Sequence, residues 1–593
     1  LKVFPGFQEV VMSGNGQEWI KVGSVDELKE KGVVVVHGDR PIAVFEHEGK
    51  LSAIDNRCPH MGFPMHKGTV KDGIITCHWH QAKFDLCSGC TFDLFADDIP
   101  TFETKEEGNE VHVNSAPLQQ PSKDYYLRRL NKGLEQNIGV ILAKSIGSLL
   151  SAGATPLEVI EEVALYGSRN SNSWGVGMTS LTVVANLLPH LDEGTAYYAL
   201  FRAVRSVASD TSGSAPRRLS EPLENGGHDP ATLKRWFRQW IQARHRSGAE
   251  RVALTALERG MPKDELTDFH FSALNDRVYA DTGHVFDFNN KAFELISLIG
   301  DEHAAEIIPL VIPGATGSRG AEENAAWHHP IGIIEPLRSA EANIADWLNE
   351  GEGKDWADDG SLRQTLLGDD PLKIIDGLGE ALRSGASPVE LAKLVSYGAA
   401  IRLARFAKSN EVSDWFAPQH TFIYSNAVFQ AVKRSSSAEV IRGIFHGALS
   451  VFMNRFLNIP AAKLPSELNG LDPLPEDGDA LREQLLDDLN HRAEIDATAK
   501  IVARYISLGH PIRPLISTLA YATVREDVDF HYLQVLEAGV HQYHEWEGQP
   551  EAEHIMVGVI RNLAAASPTR RAGLQIADIA LRLNRGENLY EEE

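Results

Sequence analysis

Cysteine is scarce: four in 593 residues. That is too few for a disulfide framework, and such sparse use fits a reducing cytoplasm, the expected compartment. No uninterrupted apolar run approaches the ~20 residues that span a bilayer, so no membrane partner is expected. The opening Leu1-Lys-Val-Phe-Pro-Gly6 lacks the basic-then-apolar order of a signal peptide. Positive charge is also short, with 57 Lys and Arg against 82 Asp and Glu, a net charge of −25. That balance argues against nucleic acid as a partner. Neither a G-x4-G-K-[ST] phosphate loop nor a nucleophile elbow occurs, so nucleotide binding and hydrolase chemistry have no support. What remains is an ordinary globular composition, 43% hydrophobic and 23% charged, in a chain long enough for several domains.

Two of the cysteines sit in a distinctive pattern. Cys58-Pro-His60-Met-Gly is followed, with sixteen residues intervening after the histidine, by Cys77-His-Trp-His80. Each segment carries one thiol and one imidazole. Cys2His2 ligation also suits zinc, but a finger pairs its cysteines in one loop and its histidines in another. The other two cysteines form Cys87-Ser-Gly-Cys90, which reads as a redox dithiol, half a zinc site, or two ordinary thiols.

The C-x-H-x16-C-x2-H pattern resembles the binding loops of a Rieske [2Fe–2S] protein. The flanks Ile54-Asp-Asn-Arg57, Phe84-Asp-Leu86 and Ser88-Gly89 are similar to those of ring-hydroxylating oxygenases and their ferredoxins. The resemblance implies that Cys58 and Cys77 hold one iron and His60 and His80 the other. It also implies a potential of roughly −150 to +300 mV, against about −400 mV for all-cysteine plant-type clusters. Respiratory Rieske proteins link their loops by a disulfide, and the matching positions are Phe63 and Trp79. The hydroxyls that raise the potential in those proteins are replaced by Ala82 and Phe84. The resemblance is therefore to the low-potential oxygenase or ferredoxin branch.

Residues 18 to about 115 read as short strands, among them Val33-Val-Val-Val-His37 and the alternating Pro41–His47. Beyond residues 116–123, a polar linker with prolines, apolar residues fall at helical spacing. The expected architecture is an α+β multidomain chain: an antiparallel β-sandwich Rieske domain (1–115) before a large all-α domain of helical repeats, halved at 124–350 and 351–593. Glycines 153, 260, 385 and 509 recur between helical segments, each as a helix C′ residue before a helix bearing proline in or near its first turn. A further helix follows each, marked by His284, His420 and His531, with Trp174 at the matching place in the first unit.

The D-x2-H-x4-H iron signature of ring-hydroxylating oxygenases does not occur. Asp488-Leu-Asn-His491 has no following histidine, and Asp268-Phe-His270 has the wrong spacing. Glu537, His541 and His544 share one helix face and are candidate ligands for a second metal, a non-haem iron, with help from a neighbouring repeat. They are about 10 Å apart end to end, so they cannot grip one ion alone. Helix-packing hydrogen bonds explain them as well. Matching positions hold Asn426 and Gln430, or Asn290 and Glu294, which points to a shared polar cavity. Gly314–Gly320 and Trp327, His328 and His329 form an irregular segment between the halves, of the kind that often carries function.

The expected function is a Rieske-dependent oxidoreductase, an oxygenase acting on a small organic substrate. An NAD(P)H-dependent reductase or ferredoxin would supply electrons near His60 and His80, and the helical domain would receive them. The alternative is a non-catalytic electron-transfer or redox-sensing protein.

Overall fold

The computed structural model describes residues 18–38, 40–119, 121–224, 228–324, 327–328, 331–468, 473–492, 494–587 and 589. The opening hexapeptide, Gln120 of the linker and His329 lie outside them. The chain forms two compact units, one of residues 2–159, 196–213 and 572–593, the other of 160–195 and 214–571.

Among the described residues of the first unit, nine strands form two antiparallel sheets. They are β1 (Trp19–Ser24), β2 (Val33–His37), β3 (Pro41–His47), β4 (Lys50–Asp55), β5 (Thr69–Lys71), β6 (Ile74–Thr76), β7 (Lys83–Asp85), β8 (Thr101–Glu107) and β9 (Glu110–Pro117). The larger sheet runs β1-β9-β8-β4-β3-β2 and the smaller β5-β6-β7. Strand periodicity explains why β3 reads as an almost continuous apolar run. Ala43 and Phe45 face a core with Met65, Ile75 and Phe84, whereas Ile42 and Val44 face one with Leu28, Val111 and Val113. Both faces are covered, so neither alternates with polar residues. Leu28 comes from a short helix, Val25–Lys31, capped by the Ser24 hydroxyl accepting from Glu27 N at 3.1 Å. Helices Lys123–Gln136, Gly139–Ser151 and Gln575–Asn584 and most of Glu193–Thr211 belong to this unit. Tyr197 ties two of them, donating to the Ala143 and Ala577 carbonyls at 3.1 Å each.

The rest of the chain is helical. Glycines 153, 260, 385 and 509 all take positive φ, 84°, 68°, 100° and 74°, at turns between consecutive helices. At Gly385 a Cβ would also sit 2.4 Å from the Lys354 carbonyl, so only glycine fits. Four helices form the interior of the second unit: Val176–Leu187, His284–Ile299, Phe416–Arg434 and Phe530–Glu545. Each packs on two of the others, closing a ring. They are buried on nearly every face, as a central bundle requires. Among the described residues no helix is long and apolar enough to cross a membrane.

Candidate functional site

Two loops end the small sheet on one side. The first leaves β4 and is braced by Arg57, whose Nε and Nη2 donate to the Asp55 carboxylate at 2.9 and 2.8 Å. Inside it Cys58 N donates to Phe63 O at 2.8 Å and Gly62 N to Cys58 O at 2.7 Å. Gly62 has φ 83°, and a Cβ there would meet Leu583 at 2.9 Å, so the tight turn needs glycine. The second loop joins β6 to β7, closed by Cys77 N to Ala82 O at 2.8 Å and Gln81 N to Cys77 O at 3.0 Å.

This geometry brings the four donors together. Cys58 and Cys77 are each 1% exposed and free of disulfides. Their thiols hydrogen-bond to one another, which raises the Cys58 thiol and lowers Cys77 to about 6. Backbone N–H groups also point at the sulfurs, from His60 to Cys58 and from Trp79 and His80 to Cys77. The His60 and His80 rings meet edge-on with centroids 4.7 Å apart. Burial, then the neighbouring His80, holds the His60 imidazole down to about 4. Its Nδ1 is buried without a hydrogen-bond partner. A buried imidazole nitrogen without a partner is costly unless a metal takes its lone pair. Soft sulfur donors, N–H···S contacts and that nitrogen fit an iron–sulfur cluster.

The family model of the Rieske [2Fe-2S] domain matches residues 18–103. The ferredoxin component of naphthalene 1,2-dioxygenase/salicylate 5-hydroxylase systems from Ralstonia sp is 36% identical over 99 residues, 16% of this chain and 93% of that protein. The chain belongs to the Rieske [2Fe–2S] family. A human Rieske domain-containing protein is 40% identical over 74 residues, covering 12% of this chain and 46% of that one. Among solved structures, the ferredoxin of carbazole 1,9a-dioxygenase from Nocardioides aromaticivorans IC177 is 22% identical, covering 16% of this chain and 95% of that one, with a TM-score of 0.16.

Other details of the Rieske domain match or extend the reading of its loops. Phe63 and Trp79 face each other across them at 6.4 Å. Ala82 and Phe84 are fully buried and carry no hydroxyl. Cys87 and Cys90 are exposed in the turn after β7. His80 is exposed, whereas His60 lines an apolar cavity of about 330 Å³ with Met61, Phe95, Ile138 and Ile576.

The helical bundle holds two polar layers. In one, Glu537 and His541 meet Glu294. His544 does not join them; it stacks on His190 at 5.2 Å. The cation between the carboxylates is Lys291, whose Nζ lies 2.9 Å from Glu294 Oε2 and 2.6 Å from Glu537 Oε1. Sequence reading missed it, although a lysine three residues before Glu294 in an apolar helix is the available signal. Burial opposes charge on Glu294, but Lys291 and His541 outweigh it and keep its carboxyl low. Asn186 also donates to Glu294 at 2.9 Å. In the other layer His284, His420 and His531 converge. Burial and the neighbouring rings hold His284 down to about 4 and His420 to about 3, so both are neutral. Of the segment expected to be irregular, Gly314–Gly317 lie in a short helix, Ile312–Gly317, and Trp327 stacks on Tyr279 at 5.7 Å. His328 Nε2 lies 3.2 Å from the Glu322 carbonyl.

Asp287 lies in the same bundle, accepting from Gln534 and facing Lys291, Glu537 and Glu294. Burial raises its carboxyl to about 7 from an ordinary 3.8. A raised carboxyl favours the folded state in full below the unfolded value and loses that contribution as pH climbs to the folded value. The rise from 3.8 to about 7 is worth at most about 4 kcal/mol. Asp287→Asn cannot ionise, so its melting temperature should gain on wild type between pH 5 and pH 8. A constant gap across that range contradicts the shift.

Proposed function

We propose that Cys58, His60, Cys77 and His80 hold a [2Fe–2S] cluster and that the chain is a Rieske-dependent oxidoreductase. When bound, such a cluster accepts and releases one electron at a time. The observation that carries the reading is the two-loop convergence of two buried thiols, two imidazoles and three N–H groups aimed at sulfur. His80, exposed beside Trp79, is the edge at which a ferredoxin or an NAD(P)H-dependent reductase would deliver electrons. The helical region is proposed as the electron acceptor, an oxygenase site for a small organic substrate. Two facts support this. The Ralstonia relative is named as a ferredoxin component of dioxygenase and hydroxylase systems. Here the Rieske domain is continuous with a helical region several times its length, and a tethered donor makes electron delivery intramolecular.

Oxygen uptake by the whole protein, given NAD(P)H, a reductase and a panel of small aromatic substrates, tests the oxygenase reading. Substrate-dependent uptake is expected. A protein that passes electrons to cytochrome c without uptake is an electron carrier or sensor instead. The cluster potential is a separate expectation. With no hydroxyl at Ala82 or Phe84, it should lie nearer −150 than +300 mV. Ala82→Ser or Phe84→Tyr should raise it by donating towards the reduced cluster. A wild-type midpoint above about +200 mV would contradict this.

A further inference from the structure

The three histidines that mark successive helical units meet at one point. His531 Nε2 lies 3.0 Å from His420 Nε2 and 3.3 Å from His284 Nε2. They come from three different helices of the central ring. His284 opens His284–Ile299, His531 is the second residue of Phe530–Glu545, and His420 stands in the first turns of Phe416–Arg434. His531 Nδ1 is 2.9 Å from Asp529 Oδ1. That contact fixes the proton on Nδ1 and turns the Nε2 lone pair inward, as a carboxylate behind a metal-bound histidine does.

With His531 neutral, hydrogen bonding alone leaves this cluster in conflict. His531 Nε2 has one lone pair and both other rings approach it. If His420 donates a proton there, His284 brings either a second proton to a used lone pair or a lone pair against it. A cation accepting all three lone pairs removes the conflict. The spacing suits one: with metal–nitrogen bonds of about 2.05 Å, separations of 3.0 and 3.3 Å give N–M–N angles of about 94° and 107°. Three such ligands would leave further coordination positions open. Phe416 and Phe530 pack on the His531 ring at 5.6 and 4.0 Å, Phe288 on His284 at 5.1 Å. They form an apolar wall that limits water.

We propose that His284, His420 and His531 bind one divalent first-row transition metal, iron(II) or zinc(II), as a three-histidine site with open coordination positions. Imidazole donors suit these ions. The chain that delivers His284 also walls a cavity. Tyr279, Asp281 and Thr282, at φ 45°, 50° and 53°, line a space of about 520 Å³ with Arg319 and Trp327. Positive φ is rare for a β-branched residue such as Thr282, and backbone strain of this kind clusters at ligand sites. The proposal is confined to the three-histidine cluster, whose members are not among the residues lining that cavity. It does not depend on the Rieske reading, because none of these residues belongs to the cluster loops.

The test is metal binding by the full-length protein with its cluster loaded, dialysed against EDTA and titrated with zinc(II), or with iron(II) under nitrogen. One equivalent per chain beyond the two cluster irons is expected in wild type, and none in His420→Ala or His531→Ala. Asp529→Asn keeps all three ligands and should weaken binding about 10–100-fold. Zinc should raise the melting temperature of wild type and of Glu537→Gln, which alters the other polar layer, but not of the two alanine variants. Wild type that binds nothing beyond its cluster irons overturns the proposal. So do alanine variants that stay folded and bind as wild type does, or an Asp529→Asn protein that binds as tightly as wild type. Loss of cluster absorbance with the extra equivalent retained would count against the Rieske assignment instead.

Discussion

Lys291→Met should cost about 3–5 kcal/mol of stability, because it strands two buried carboxylates without their cation. Lys291 and Glu537 are each 1% exposed, and Glu294 is nearly as enclosed. Methionine has nearly the volume of lysine, so little of the loss would come from a cavity. The penalty arises because water cannot reach Glu294 and Glu537 to replace the ammonium. His541 and Arg434 still favour the charged form of Glu294 but neither hydrogen-bonds Glu537 as Lys291 does, and Asn186 carries no charge. Protons would be taken up instead, so the loss should shrink as pH falls towards 5. Glu537→Gln removes one of the stranded charges. The double variant should therefore recover part of the loss, a coupling that a double-mutant cycle by chemical denaturation measures. Additive losses would mean that Lys291 and Glu537 do not depend on each other.

The legible parts of this molecule are those set by local spacing. The Rieske loops declare themselves because ligands for two irons must come in pairs a few residues apart, and both pairs are visible as Cys58/His60 and Cys77/His80. The helical region is legible from its periodicity and from four glycines at equivalent turns. The Val25–Lys31 helix escaped notice. It is seven residues long, buries only Leu28, and stands between strands whose apolar runs dominate any reading of that stretch.

Long-range convergence was harder to see. His284, His420 and His531 were visible as equivalent markers of successive units, yet nothing local says they touch. They touch because the helices that carry them pack around a ring, each with its histidine near its N-terminal end. For Glu537 and His541 the helical-face argument identified a real polar layer, but the missing partners, Glu294 and Lys291, lie some 250 residues away. His544, on the same face by spacing, is one turn too far and meets His190 instead. Equally illegible is the return of 196–213 and 572–593 to the first unit, which no composition shift announces.

Cys58→Ser or Cys77→Ser should abolish the visible absorbance of the cluster and release two irons per chain. Serine keeps the shape of the side chain but offers a harder, far less acidic donor than a thiolate. The loops that carry these residues are pinned by backbone hydrogen bonds and the Asp55–Arg57 pair, so they should keep their path without metal. Far-ultraviolet circular dichroism should barely change, since residues 160–195 and 214–571 form a compact unit of their own. Cys87→Ser and Cys90→Ser supply the contrast: both residues are exposed in a turn, and neither change should alter the spectrum. A cluster lost on replacing Cys87 or Cys90, or retained in full on replacing Cys77, would mean that the irons are held by a different set of thiols.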